Sequence, residues 1–108
     1  MQAIDNIESV HNQASAAAAE ATQLFLNRNG DRDCCGFAWV TVREKGSTKL
    51  GRALKSVGFK PAYGGGLQLW NPSKSYTQSI TALEEGADAY ARVLKAHGVD
   101  AYTGSRMD

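Results

Sequence analysis

The stretch Cys34-Cys35-Gly36-Phe37-Ala38-Trp39-Val40-Thr41-Val42-Arg43 constrains the fold more than any other part of the chain. It is rich in β-branched and aromatic residues, which favour extended backbone. Its alternating sets, Phe37/Trp39/Thr41 and Ala38/Val40/Val42, are both largely apolar. Such a strand belongs in the middle of a sheet, with both faces at least partly covered. The surrounding chain is short. Its 108 residues support one domain and a core of modest thickness. That leaves little room for a deep, enclosed active site.

The first 29 residues read as one helix. Ile4, Ile7, His11, Ala14, Ala18, Ala21 and Phe25 recur at helical spacing and form one stripe. Asp5 with Glu8 fits a capping box, and Asn29-Gly30 fits a left-handed stop. The alanine-rich centre makes the stripe shallow and lets another backbone approach closely. About 24 residues give a helix of roughly 36 Å. That is long for this domain, so its end is expected to project or to pack on a partner.

Asp31 to Asp33 is a polar linker. Beyond the strand, Ser47 or Thr48 caps a short helix with Leu50, Ala53, Leu54 and Val57 on one face. Phe59–Tyr63 and Leu67–Trp70 flank Gly64-Gly65-Gly66 as a hairpin. Pro61 lacks an N–H and confines the first arm to a sheet edge. Residues 73–80 read as a loop. Thr81 to Glu84 matches a capping box that opens a helix carrying Leu83, Ala87, Tyr90, Ala91 and Leu94, with Asp88 and Arg92 spaced as an ion pair. Val99–Thr103 alternates as a last short strand, and Gly104–Asp108 reads as a polar tail.

This order predicts an α+β protein. An N-terminal helix occupies residues 1–30, and a ferredoxin-like β-α-β-β-α-β unit occupies residues 31–108, in a single folding unit. Right-handed crossovers place the strands at 37–43 and 67–70 side by side in the middle, with both following helices on one face. The alternative is a three-stranded βαβαβ sheet in which residues 59–63 are loop.

Alternation then assigns sides. Ala38, Val40, Val42, Leu67 and Leu69 suit the helix-covered face. Phe37, Trp39, Thr41, Gln68 and Trp70 fall on the other, joined by Asp100 and Tyr102 if the last strand pairs as expected. An open aromatic patch of this size marks an interface. Three explanations compete: cover by the N-terminal helix, a protein–protein interface including self-association, or base stacking of single-stranded nucleic acid. Phe37, Trp39, Gln68 and Trp70 are the expected anchors, with Arg43 as a flanking charge. Twelve Lys+Arg against eleven Asp+Glu leave a net charge of +1. That balance excludes a strongly basic nucleic-acid coat and an acidic DNA mimic, and it disfavours the stacking reading. The cluster Lys45, Lys49, Arg52 and Lys55 reads as a solvated helix face.

No catalytic signature emerges, and no metal or cofactor is implied. Cys34-Cys35 lacks metal-ligand partners at the usual spacing, and neighbouring cysteines close a strained ring if oxidised. Neither His11 nor His97 is placed beside them as a base, so buried structural thiols are expected. His97 is expected to face the negative end of its helix dipole, and His11 to border the apolar stripe. The triple glycine matches no phosphate-loop motif. A small-ligand alternative, for instance for a nucleotide signal, uses a pocket lined by Gly65, Gly66, Ser75, Tyr76 and Gln78. No apolar run is long enough to span a membrane, and Met1–Val10 does not read as a secretory signal. Paired thiols without a signal suggest a reducing, cytosolic setting.

Cys35-Gly36-Phe37-Ala38-Trp39-Val40, Gly65-Gly66, Trp70-Asn71-Pro72, Gln78-Ser79, Glu85-Gly86-Ala87 and Gly104-Ser105-Arg106-Met107-Asp108 are distinctive as a set. Over residues 34–108 the chain resembles a group of small proteins encoded by tailed bacteriophages. The resemblance brings no activity and no catalytic residues. It implies a phage accessory protein in the host bacterial cytoplasm, acting on a host protein or complex in takeover or anti-defence, in the manner of anti-CRISPR proteins. The expected function is non-enzymatic binding through the aromatic sheet face or the long first helix, which also offers a route to homo-oligomers. Nucleotide sequestration and single-stranded nucleic-acid binding are the alternatives.

Overall fold

A computed structural model describes residues 6–31 and 33–108. The elements run α1 (Ile7–Asn29), β1 (Gly36–Val42), α2 (Lys49–Ser56), β2 (Lys60–Pro61), β3 (Leu67–Trp70), α3 (Ile80–Ala96) and β4 (Ala101–Met107). The chain is thus α+β: a long first helix, then a four-stranded antiparallel sheet with two more helices. The sheet order is β2-β3-β1-β4, so β1 and β3 lie side by side in the middle. Residues 60–61 pair with Gln68 and Leu67, which removes the three-stranded alternative. Pro61 lies on the edge strand, where a missing N–H is tolerated.

The last strand is longer than its sequence suggests. β4 pairs with β1 over its full length, from Val42 opposite Ala101 to Gly36 opposite Met107. The expected polar tail is therefore strand. Its polar side chains find partners on α3, where the Thr103 hydroxyl donates to Asp88 at 3.0 Å and the Ser105 hydroxyl donates to Glu84. Asp88 accordingly serves β4 rather than the expected pair with Arg92.

On the helix-covered side, Ala38, Val40, Val42, Leu67 and Ala101 are buried beneath Leu54 of α2 and Leu83, Ala87 and Leu94 of α3. The N-cap of α3 is Ser79, not Thr81: the Ser79 side chain accepts from the Ala82 N–H. Two linker carboxylates extend this cap. Asp31 accepts from the Ser79 N–H and Asp33 from the Thr81 N–H. Hydrogen bonds from Ser79 and then Thr81 hold the Asp33 carboxyl below its ordinary pKa.

α1 packs along α3, and its inward residues join the same core cluster as the sheet. The buried line is Val10, Ala14, Ala18 and Thr22. It is rotated from the expected stripe: Ala21 and Phe25 are only half-buried, and Ile4 and Asp5 lie outside the described residues. The reason is a polar exception to the apolar pattern. The Thr22 hydroxyl is buried because it donates to the Ala82 carbonyl at 2.7 Å.

His11 likewise turns inward, and its Nδ1 shares a 2.7 Å hydrogen bond with the Tyr90 hydroxyl. Partial burial, and after it the charge of Lys74, lowers the His11 pKa from 6.5. The unfolded chain therefore takes up this proton more readily than the native one. Stability from this site is fully present above the ordinary histidine pKa and is lost as pH falls through it towards the depressed native value. The melting temperature is expected to fall between neutral and mildly acidic buffer. A His11→Asn variant should show a smaller drop in a thermal melt series; an unchanged pH response would sink the assignment.

Candidate functional site

The sheet face away from the helices is built by strand alternation. β1 contributes Phe37, Trp39 and Thr41, with Arg43 just past its end. Register then fixes the neighbours: Trp39 stands opposite Trp70, Thr41 opposite Gln68 and Tyr102, and Phe37 opposite Arg106. Lys60 extends the face on the far edge, opposite Gln68. The four expected anchors, Phe37, Trp39, Gln68 and Trp70, and the expected flanking charge, Arg43, thus share one side. Tyr102, Gly104, Arg106 and Lys60 are additions that sequence reading did not commit to as site residues. A signal for three of them was present, because Tyr102, Gly104 and Arg106 continue the period of two.

The rings form one connected platform. Trp39 and Trp70 have centroids 4.9 Å apart with planes tilted by 33°, and Phe37 meets Trp70 edge-on at 6.0 Å. Gly104 makes this possible: a Cβ there would stand 2.6 Å from Trp39 Nε1 and 2.7 Å from Cε2. The indole thus rests against the β4 backbone at a position that tolerates no side chain. The Trp70 Nε1–H donates to Gln68 Oε1 at 2.9 Å and fixes the second indole. Two guanidinium groups lie over outer rings, Arg43 at 5.1 Å from the Tyr102 centroid and Arg106 at 5.6 Å from that of Phe37.

The platform is open. Trp70 is 48% exposed, Tyr102 40% and Phe37 38%. The N-terminal helix does not cover it, because α1 is docked on α3 on the helix side. The physical reason is the match between the small-residue face of α1 and that of α3. Gly86 lies opposite Thr22 and the Ala18 carbonyl, and a Cβ there would meet them at 2.4 and 3.2 Å.

The small-ligand residues are not brought together. Gly66 abuts the Val42 carbonyl, and Gly65 and Gly66 line a cavity of about 440 Å³ with Arg43, Lys45 and Tyr102. Gln78 pairs with Gly36 at the other end of β1, and it lines a separate cavity of about 230 Å³ with Cys35, Phe37, Trp70, Asn71 and Thr77. Ser75 belongs to this second end, its carbonyl accepting from Asn71 Nδ2, while the Tyr76 ring is solvent-exposed. The length of β1 separates the two groups.

Cys34 and Cys35 are exposed free thiols, not buried ones. They precede the continuous ladder, where Cys35 forms an isolated bridge with Ser79 and its carbonyl accepts from the Asp108 N–H at 3.0 Å. The Cys35 thiol donates weakly to Gln78 Oε1 at 3.4 Å. His97 is the C-cap residue of α3 and lies 3.4 Å from Gln13 Oε1, while His11 is held by Tyr90. Neither histidine is engaged with the thiols. Among the described residues, no group of His, Cys, Asp and Glu could hold a metal ion, and no helix is long and apolar enough to cross a membrane. The chain matches no protein-family model, no curated protein and no solved structure.

Proposed function

We propose that the protein is a non-enzymatic binding module that grips a macromolecular partner with its open aromatic sheet face. One observation carries this reading. Trp70, Tyr102 and Phe37 stay solvent-exposed on a face whose natural cover, α1, is committed to the opposite side. A small domain gains by burying aromatic surface, and aromatic and arginine side chains dominate interface energetics. The ferredoxin-like reading of the topology supports the same function. In that arrangement both crossover helices lie on one side, and β1 and β3 present a free central surface. In the phage setting that the sequence resemblance implies, the partner is a bacterial host macromolecule whose action the bound protein blocks or modulates.

The test is site-directed photo-crosslinking in a bacterial lysate. Tyr102→p-benzoylphenylalanine places the probe on the open face, and Leu24→p-benzoylphenylalanine places it at an exposed position of α1 beside its groove with α3. A discrete macromolecular adduct from position 102 and none from position 24 is expected. Indistinguishable labelling from the two positions, or none from either, would remove the sheet face as the binding surface.

A further inference from the structure

We infer that the occupant of the open sheet face is a single-stranded nucleic acid, its bases stacked on the aromatic platform and its phosphates met by Arg43, Lys60 and Arg106. This inference rests on the binding-face reading above and names the partner's chemistry. Three observations carry it. First, the face holds Phe37, Trp39, Trp70 and Tyr102 with Thr41, Gln68 and cations, and among the described residues its strands add no aliphatic side chain to it. Flat π surface without aliphatic knobs suits flat π ligands better than the side chains of another protein.

Second, cations stand beside the rings. The open face carries Arg43, Lys60 and Arg106, with Glu44 and Asp100 beside Arg43 and Asp108 beyond Arg106 as acids at its margin. Two of the cations already lie over rings, so a stacked base and its phosphate meet π surface and positive charge together. Third, the platform does not end at Phe37 and Trp70. It continues into the cavity of about 230 Å³, where Asn71, Thr77, Gln78 and, at the rim, Asp108 supply polar groups to the edge of a flat ring. The rings come from β3, β1 and β4, neighbouring strands about 4.8 Å apart, a spacing that can seat successive unstacked bases.

Both tryptophans of the chain lie on this face, so intrinsic fluorescence reads it directly. The probes are short oligothymidylate and oligouridylate single strands, a duplex of equal length, and inorganic polyphosphate as a ring-free polyanion. Saturable quenching by single strands is expected, with at least about tenfold weaker response to duplex, whose bases are already stacked. Polyphosphate should leave the emission unchanged. Trp70→Ala should weaken single-strand binding by about tenfold or more, with Trp70→Phe retaining most of it. Arg106→Ala should flatten the salt dependence. Circular dichroism checks that each variant is folded. Equal quenching by polyphosphate, or binding indifferent to Trp70→Ala, would overturn the inference. No response to any strand, together with a position-102 adduct that resists nuclease and yields to protease, would also overturn it in favour of a protein partner. That outcome leaves the binding face standing, whereas a chain that forms no position-102 adduct loses both.

Discussion

Tyr90→Ala should lower stability by about 3–5 kcal/mol, the usual effect of deleting a buried aromatic ring. Tyr90 is the largest fully buried side chain among the described residues, and it joins three parts of the structure. Its ring lies 6.2 Å from that of Phe59 behind the hairpin, it forms part of the central cluster of α3, and its hydroxyl holds His11 of α1 at 2.7 Å. Burial without a compensating charge raises the phenol's pKa far above its ordinary value, so the group stays neutral in the core. Truncation leaves a cavity between two helices and strips His11 of its partner. A domain of this size holds roughly 5–15 kcal/mol in total, so the variant sits near the folding threshold. Tyr90→Phe separates the two contributions, because it keeps the ring and loses only the hydrogen bond, for about 1 kcal/mol. Urea midpoints of the two variants measure both. If they are alike, the ring is not packed as described.

Gly86→Ala should destabilise by about 1–3 kcal/mol. The sign is the point, because glycine to alanine inside a helix ordinarily stabilises by about 0.5–1 kcal/mol. At this site the new Cβ would lie 2.4 Å from Thr22 Oγ1, 2.9 Å from Ser73 Cβ and 3.2 Å from the Ala18 carbonyl oxygen. The Ala18 oxygen is backbone and retreats only if α1 moves away, and displacing Thr22 breaks its bond to the Ala82 carbonyl. Thr22→Ala removes the nearest clashing atom, so the double variant should be less destabilised than the sum of the singles. A neutral or stabilising Gly86→Ala in denaturant unfolding would show that α1 and α3 do not cross this closely. Both predictions act on the helix layer and leave the aromatic platform untouched, so they separate folding from binding.

The platform itself was largely legible beforehand. Alternation in Phe37/Trp39/Thr41 and Gln68/Trp70 placed these anchors on one side, because a strand's side chains can only point one way or the other. The cations were harder to read. Arg106 sits in a stretch of Gly, Ser, Arg and Asp that has the composition of a tail. It becomes strand only because β1 supplies a full ladder and α3 supplies Asp88 and Glu84 for its hydroxyls. The Ser79 cap was missed for a similar reason: its supporting carboxylates, Asp31 and Asp33, lie more than forty positions away along the chain. The thiols were placed wrongly because burial at a strand's start depends on where pairing begins.

Local pattern alone was enough to establish the helices, the central strands and the side on which the indoles stand, since these follow from periodicities of 3.6 and 2 within single segments. Where α1 docks, whether the aromatic face is left open, and which cations come to lie over its rings were decided only in three dimensions. Each depends on contacts between segments far apart in the chain, above all the close approach of α1 to α3 at Gly86, and segment periodicity carries no information about which faces will meet.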